Sequence, residues 1–407
     1  MKMPLKRLLS FALGLVGLVL SALATPPVVS NVRSAPRPGT KLVEIQYDLA
    51  YAGPGPLAVS VLVSTDGGTS YALPASSFSG PGYGSGVTAG ANRQIVWDAA
   101  ADRTEPFPAE RIRFRVVASE IPPDMAFIPP GPFAMGDPLK EGNSNETPLH
   151  KVYLGAFYMD RHFVTKSLWD RVYQWALNRG YSFENAGLGK AADHPVHTVN
   201  WYDVVKWCNA RSEIEGLTPC YYTSPGRTTV YRTGQSDLAN DWVDWSANGY
   251  RLPTEAEWEK AARGGASGHR FPWTDTDTIT HSRANYYSTT RNGYDMSPTR
   301  GYYPFFHDKI NPFTNSVGYF APNGYGLFDM AGNIWQWCWD LYDSERYGQP
   351  SATEKDTRGP DSNRNGFRVM RGGSWHRSAN FARCAHRGMD APDLGWITFG
   401  FRCAKGL

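Results

Sequence analysis

Cysteine is scarce in this chain: five residues in 407, at positions 208, 220, 338, 384 and 403. None forms a C-x-x-C pair, so neither a thioredoxin-like redox site nor a zinc site has support. Five is odd, which leaves at least one thiol free or paired outside the chain. Charge of one sign is lacking too. Lys and Arg number 41 against 38 Asp and Glu, a net of +3, too little to imply a nucleic-acid partner or an anionic membrane. No basic run occurs beyond the N-terminus, and after residue 24 no apolar run is long enough to span a bilayer. Residues 27–119 contain neither His nor Cys, so no catalytic or metal-ligating cluster appears in that stretch.

What is present is apolar and aromatic. The apolar share is 41% and the aromatic share 14%, with 14 Trp, 22 Tyr, 41 Gly and 30 Pro. That mixture suits a loop-rich fold in which rings pack against irregular backbone, and the length suits two domains. The N-terminus reads as an export signal over residues 1–24. Lys2, Lys6 and Arg7 precede an apolar run from Leu8 to Ala24, and Ala22-Leu23-Ala24 is an A-x-A cleavage site. The expected location is secreted or periplasmic, with no membrane attachment after cleavage; no Cys follows the cleavage site, which argues against a lipid anchor.

Residues 27–119 read as strands and turns. Leu42–Tyr47, Leu57–Val63, Arg93–Trp97 and Arg111–Val116 carry the strand pattern, separated by stretches such as Asp66-Gly67-Gly68. An all-β sandwich of immunoglobulin or fibronectin type is expected, serving as a spacer or docking module. Ile121-Pro122-Pro123 reads as a linker. Beyond it three short helices are expected. The first, over 165–178, would bury Leu168, Val172, Trp175 and Ala176 and end at Gly180. The second is capped by Asn200 and turns Trp201, Val204, Val205 and Cys208 inward. In the third, Thr254 and Glu257 form a capping box and Gly264-Gly265 ends the helix.

The stretch RLPTEAEWEKAARGG (251–265) resembles the signature of the formylglycine-generating enzyme and sulfatase-modifying factor family. So do MAFIPPGPFAMGD (125–137), AFYMDRHFVT (156–165), HPVHTVNWYDVVKWCN (194–209), NGYGLFDMAGNIWQW (323–337), RVMRGGSW (368–375) and GFRCA (400–404), in family order. The resemblance covers 122–407 and implies an α+β, C-type-lectin-like domain with little regular structure, neighbouring termini and small antiparallel sheets. It also implies an oxidase site in which two cysteines near the GGS turn hold copper. Here that segment runs from Ser374 through His376-Arg377-Ser378 to Cys384 with the expected cysteines deleted or replaced. Copper(I) requires soft thiolates, so copper chemistry is not expected.

Other family features carry over position by position. Cys208 and Cys403 match a family disulfide, which over so long a loop would contribute about 4–5 kcal/mol in the chain-entropy model. The usual partner of Cys384 is replaced by Ala262, leaving Cys220 and Cys338 as alternatives. Structural calcium is implied at Asn285 with Asp308, and around Ala331, Gly332, Ile334 and Gln336, where an amide stands in place of the family's carboxylate and weakens the site.

His376 and His386, with Asp390 and Asp393, lie in the block that forms the family's active-site region, and are candidates to bind a metal or move a proton. Ser374 is a third catalytic candidate, though no base stands at motif spacing and no G-x-S-x-G surrounds it. The NIWQWCWD stretch with Gln336 and Cys338 is similar to the ergothioneine-synthesis iron enzymes, whose iron-binding helical bundle this chain lacks. Two functions follow. One is a peptide- or glycan-binding module without copper–cysteine oxidase activity. The other is a metal-dependent oxidoreductase, formylglycine-generating or of non-haem iron type, using non-cysteine ligands. The missing cysteines favour the first.

Overall fold

In the N-terminal module the expected strand runs become a two-sheet structure because each buries one face against the other. The computed structural model describes residues 25–102 and 109–407; the signal-peptide reading at 1–24 lies outside them. The strands are β1 (Val28–Pro36), β2 (Leu42–Ala50), β3 (Leu57–Ser64), β4 (Phe78–Ser79), β5 (Gly84–Val87), β6 (Gly90–Asp98) and β7 (Arg113–Glu120), with a one-turn helix α1 (Ala99–Asp102) after β6. One sheet has the order β1-β2-β6-β4 and the other β5-β3-β7. Ile45, Tyr47 and Leu49 from β2 and Ile95 and Trp97 from β6 meet Val59, Val61 and Val63 from β3 in a single core. In β2 and β6 this is the period-2 alternation that a half-buried strand requires, whereas β3 is buried on both faces.

Ile121-Pro122-Pro123, read as a linker, follows β7 and is packed against the domain that follows it. Ile121 is buried and joins the main core of the C-terminal domain together with Ala58 of β3. The Ser119 and Tyr158 hydroxyls meet at 2.5 Å, and the Tyr153 hydroxyl donates to the Ala75 carbonyl at 2.8 Å. The sandwich is therefore packed onto its neighbour through apolar and polar contacts.

The C-terminal domain has β8 (Met125–Ile128), β9 (Gly131–Met135), β10 (His150–Leu154), β11 (Phe157–Asp160), α2 (Lys166–Leu177), α3 (Trp201–Ile214), α4 (Glu255–Ala262), β12 (Trp335–Leu341), β13 (Arg368–Arg371), β14 (Gly388–Asp390), β15 (Phe399–Gly400) and β16 (Ala404–Lys405). The chain end β16 and the domain start β8 flank β11 in one antiparallel sheet. The two ends of the domain thus lie side by side, as expected. A second sheet, β14-β13-β12-β15, carries the Gly372-Gly373 turn at the end of β13.

Helix α2 starts where read, with the Thr165 hydroxyl accepting from the Leu168 N–H. Trp169, which the sequence reading passed over, is fully buried with Val172 and Ala176; Leu168 and Trp175 only pack against the core from outside. The Trp169 ring stacks on Trp207 of α3, centroids 5.6 Å apart and nearly parallel. Asn178, not Gly180, caps the end. Helix α3 is buried on every side, polar residues included. This is tolerable because each polar group finds a partner: Asp203 accepts from the Glu184 and Asn185 N–H groups, Lys206 donates to the Gly234 carbonyl, and Arg211 pairs with Asp160 at 2.8 Å. In α4 the capping box of Thr254 and Glu257 forms as read. Trp335, Trp337, Trp339 and Trp375 are all buried.

Candidate functional site

The GGS turn is held by backbone on three sides. Gly372 accepts from the Gly332 N–H at 2.8 Å, Trp375 donates to the Asn333 carbonyl at 2.8 Å, and Tyr287 donates to the Arg377 carbonyl at 2.9 Å. Two glycines make this possible. Gly332 has φ +78 and a Cβ there would lie 2.3 Å from the Asn285 carbonyl oxygen; Gly373 has φ +72 and a Cβ would lie 2.8 Å from the Phe381 oxygen. Any side chain at either position collides with fixed main chain.

A ring cluster sits on this frame. Tyr302 is its hub, with Tyr287, His307, Phe313, Trp375 and His376 all within 5.9 Å between centroids. Its hydroxyl and His376 Nδ1 are 2.9 Å apart, within hydrogen-bond distance. Trp375 is buried beneath, against Phe313 and Ile334, while His376 is exposed and Tyr287 is at the surface. Burial raises the pKa of Tyr302 above the ordinary phenol value, so its hydroxyl is a neutral donor and acceptor at pH 7. The surface therefore offers flat apolar faces beside an imidazole and a phenol. Sequence reading found His376 but missed Tyr302, Tyr287 and Phe313. The available signal was the ring density of YYPFFHDKINPF (302–313).

Behind the turn lies an ionic scaffold. Glu259 of α4 pairs with Arg371, at the end of β13, and with Arg263 at 2.7 Å; it also accepts from the Gly136 N–H at 2.9 Å. Glu255 accepts two bonds from Arg387 at 2.7 and 2.8 Å. Arg383 makes two more to Glu146, at 2.7 and 2.8 Å. Carboxylates of α4 thus grip the chain immediately before the 372–380 loop and again after it, which fixes the loop between them.

The candidate catalytic residues do not assemble. His386 is buried, 3.4 Å from Glu146 and packed on Trp335 and Phe381, whereas His376 is on the surface against Tyr302. Burial lowers the pKa of His386 despite Glu146, so it stays neutral at pH 7. Asp390 sits in β14 opposite Arg368. Among the described residues no group of three His, Cys, Asp or Glu side chains is placed to hold a metal ion. Ser374 is buried and its hydroxyl has no hydrogen-bond partner, hence no activating base.

The side chains of Gln336, Asn285 and Asp308, three of the expected calcium donors, have protein partners. Gln336 Oε1 accepts from Trp258 Nε1 at 2.8 Å and from Arg402 Nε at 2.7 Å; a cation at that oxygen would face a guanidinium, so Gln336 does not fit as a ligand. The Asn285 amide donates to the Phe313 carbonyl and to Asn315. Asp308 forms a 2.7 Å ion pair with Lys190 at the surface. Ala331, Gly332 and Ile334 lie buried in the turn beside Asn285.

All five cysteines are free thiols in the interior. Cys208 and Cys403 are brought together, Sγ to Sγ 3.8 Å, without being bonded. Cys384 and Cys338 both lie in the second core cluster. Burial pushes the Cys384 thiol up to about 12, which makes it a poor nucleophile and metal ligand.

Against known proteins, residues 114–407 match the model of the sulfatase-modifying factor enzyme 1-like domain. A formylglycine-generating enzyme of Thermomonospora curvata is 32% identical, over 70% of this chain and 94% of its own. A chaperone protein, LppX, of Paenibacillus barcinonensis is also 32% identical, over 60% of this chain and 78% of its own. The serine/threonine-protein kinase pkn1 of Chlamydia pneumoniae is 31% identical, but the match spans only 38% of that protein's length. Among solved structures, Treponema denticola variable protein 1 superposes with a TM-score of 0.52 at 28% identity, over 70% of this chain and 95% of its own.

Proposed function

The chain belongs to the sulfatase-modifying factor family, and we propose that it is an exported member that uses this scaffold to bind a polypeptide segment instead of oxidising a thiol. The observation that carries the reading is the Tyr302–His376 ring surface on a turn that bears no cysteine: residues 374–380 contain none, and the thiol nearest in sequence, Cys384, is buried in the core. Related proteins are named as a generator of formylglycine, a residue within a polypeptide, and as a chaperone. Both names point to polypeptide as the ligand class. Ring faces at the surface suit proline, aromatic and arginine side chains. The N-terminal sandwich, taken as an immunoglobulin- or fibronectin-type module, serves as a docked spacer.

Binding is tested with an array of short peptides, followed by fluorescence anisotropy on the peptides retained. Tyr302 touches all the other rings and acts as the energetic centre, so Tyr302→Ala is expected to weaken binding about 30-fold. His376→Ala, at the rim, is expected to cost less. If Tyr302→Ala binds as the wild type does, the site is wrong; if a glycan array is positive and the peptide array blank, the ligand class is wrong.

Export predicts oxidation of the one thiol pair the fold juxtaposes. A non-reducing peptide map of the secreted protein should recover Cys208 linked to Cys403, with Cys220, Cys338 and Cys384 alkylated as free thiols. Recovery of all five as free thiols would contradict export to an oxidising compartment.

A further inference from the structure

The connection between β12 and β13 is far longer than the pairing of those strands requires. They are antiparallel neighbours, a geometry that a turn of a few residues closes, yet residues 342–367 lie between them. The segment is built and not slack. Arg346 is buried and donates to the Ser351 carbonyl and hydroxyl at 2.8 and 2.5 Å and to the Thr357 hydroxyl at 3.0 Å. The Asn363 amide ties the two ends of the loop, donating to the Tyr342 and Phe367 carbonyls at 2.9 Å each. Long loops in compact domains that carry internal order of this kind are usually functional.

Two depressions of about 810 and 730 Å³ open along this loop and share Asp343 and Ser362, which makes them one trench. In the first, only Gly359 and Pro360 lack a polar side chain. It holds four acids and three bases, and the second adds Glu345 and Arg364. So even a balance excludes a polyanion, which needs a surplus of cations, and a polar wall gains little from an apolar ligand. The half-buried Arg358 lies over the Trp245 ring, 4.3 Å from its centroid, with no hydrogen-bond or ion-pair partner among the described residues. Its N–H donors are thus held in place and unused by the protein. Acceptors line the same depression: the Glu354 carboxylate has no protein partner, and Asp361 accepts from the Asn240 amide at 2.8 Å. At the other end Phe367, Tyr342 and Met389, the last 45% exposed, supply an apolar floor.

From this combination we infer that the 342–367 trench binds a neutral oligosaccharide. A sugar hydroxyl both donates and accepts, so it is served by a wall that carries Arg358 as donor beside Glu354 and Asp361 as acceptors. The C–H face of a sugar ring packs on an aromatic side chain, and Phe367 offers one. An oligosaccharide fits better than a single sugar, because the hydrogen-bonding wall and the apolar floor lie in different depressions. The trench shares no residue with the Tyr302–His376 ring surface, so this inference does not depend on the peptide reading.

A printed array of neutral and uronic-acid oligosaccharides, probed with the labelled full chain and followed by calorimetry on those retained, tests this. Neutral oligosaccharides should be retained and uronic-acid oligomers should not. Arg358→Ala is expected to weaken the best binder about tenfold, the loss of a hydrogen bond to a charged group. Because Arg358 packs on Trp245, Glu354→Ala is the companion variant. That side chain is exposed and has no protein partner, so its loss should weaken binding about threefold with the melting temperature unchanged. Tyr302→Ala should leave glycan binding intact while it weakens peptide binding, so failure of the peptide reading and failure of this one are distinguishable. An array on which no neutral oligosaccharide is retained would overturn the inference. So would retention of uronic-acid oligomers alone, or neutral binding that Arg358→Ala and Glu354→Ala both leave at wild-type strength.

Discussion

Glu259→Ala is expected to destabilise the C-terminal domain by about 3–5 kcal/mol, the usual cost of removing one partner from a buried ion pair. Glu259 is fully buried and satisfies Arg371, Arg263 and the Gly136 N–H together. Its removal leaves two guanidiniums without their nearest countercharge. Arg371 keeps only the carbonyls of Ala385 and His386 and a 3.8 Å approach to Glu255. For a domain of this size about 2 °C of melting temperature is lost per kcal/mol, so a fall of about 6–10 °C should appear by calorimetry. Glu259→Gln preserves shape and one acceptor and should fall in between. Because Arg371 leads directly into the GGS turn, the same variant should speed hydrogen exchange at 372–377. A melting temperature within a degree of the wild type would mean that the α4 carboxylates do not hold the loop.

Acid should weaken the fold through Glu146 in particular. Burial acts to raise this carboxyl, but His386 and Arg383 outweigh it and hold the pKa at about 2, against an ordinary 4.5. A folded value below the unfolded one means the group contributes stability above pH 4.5, and the contribution fades as pH falls towards 2. The difference corresponds to about 3 kcal/mol. His386, whose own pKa is lowered by burial, acts in the same direction, since its protonation favours the unfolded chain. Urea midpoints taken between pH 5 and pH 2.5 should therefore drop further for the wild type than for Glu146→Gln. Parallel curves for the two proteins would show that Glu146 carries no such linkage.

What the sequence made legible was mostly local. Helix α4 was readable because Thr254 and Glu257 cap it within three residues, and the strand pattern of Leu57–Val63 because alternation needs no distant partner. His376 was found because it closely follows the Gly372-Gly373 turn. Tyr302 was not, since it reaches His376 across 74 positions, and nothing in the spacing announces that contact. The same limit explains Gln336. The resemblance implied a calcium ligand at Gln336, whereas Trp258 and Arg402, 78 and 66 positions away, donate to its oxygen. His376 and His386 were joint candidates because both lie in the block that forms the family's active-site region. Between them the chain buries Ala379 and Ala382 and turns inward, so one histidine stays in solvent and the other enters the core.

The proposed binding function rests on a scaffold whose turn offers rings and no reactive sulfur. A copper-reconstituted sample of the full chain, incubated with a cysteine-type sulfatase peptide under oxygen and followed by mass spectrometry, tests this most directly. The peptide is predicted to keep its cysteine unchanged while a formylglycine-generating enzyme assayed in parallel converts it. Appearance of the formylglycine product with this chain would contradict the account.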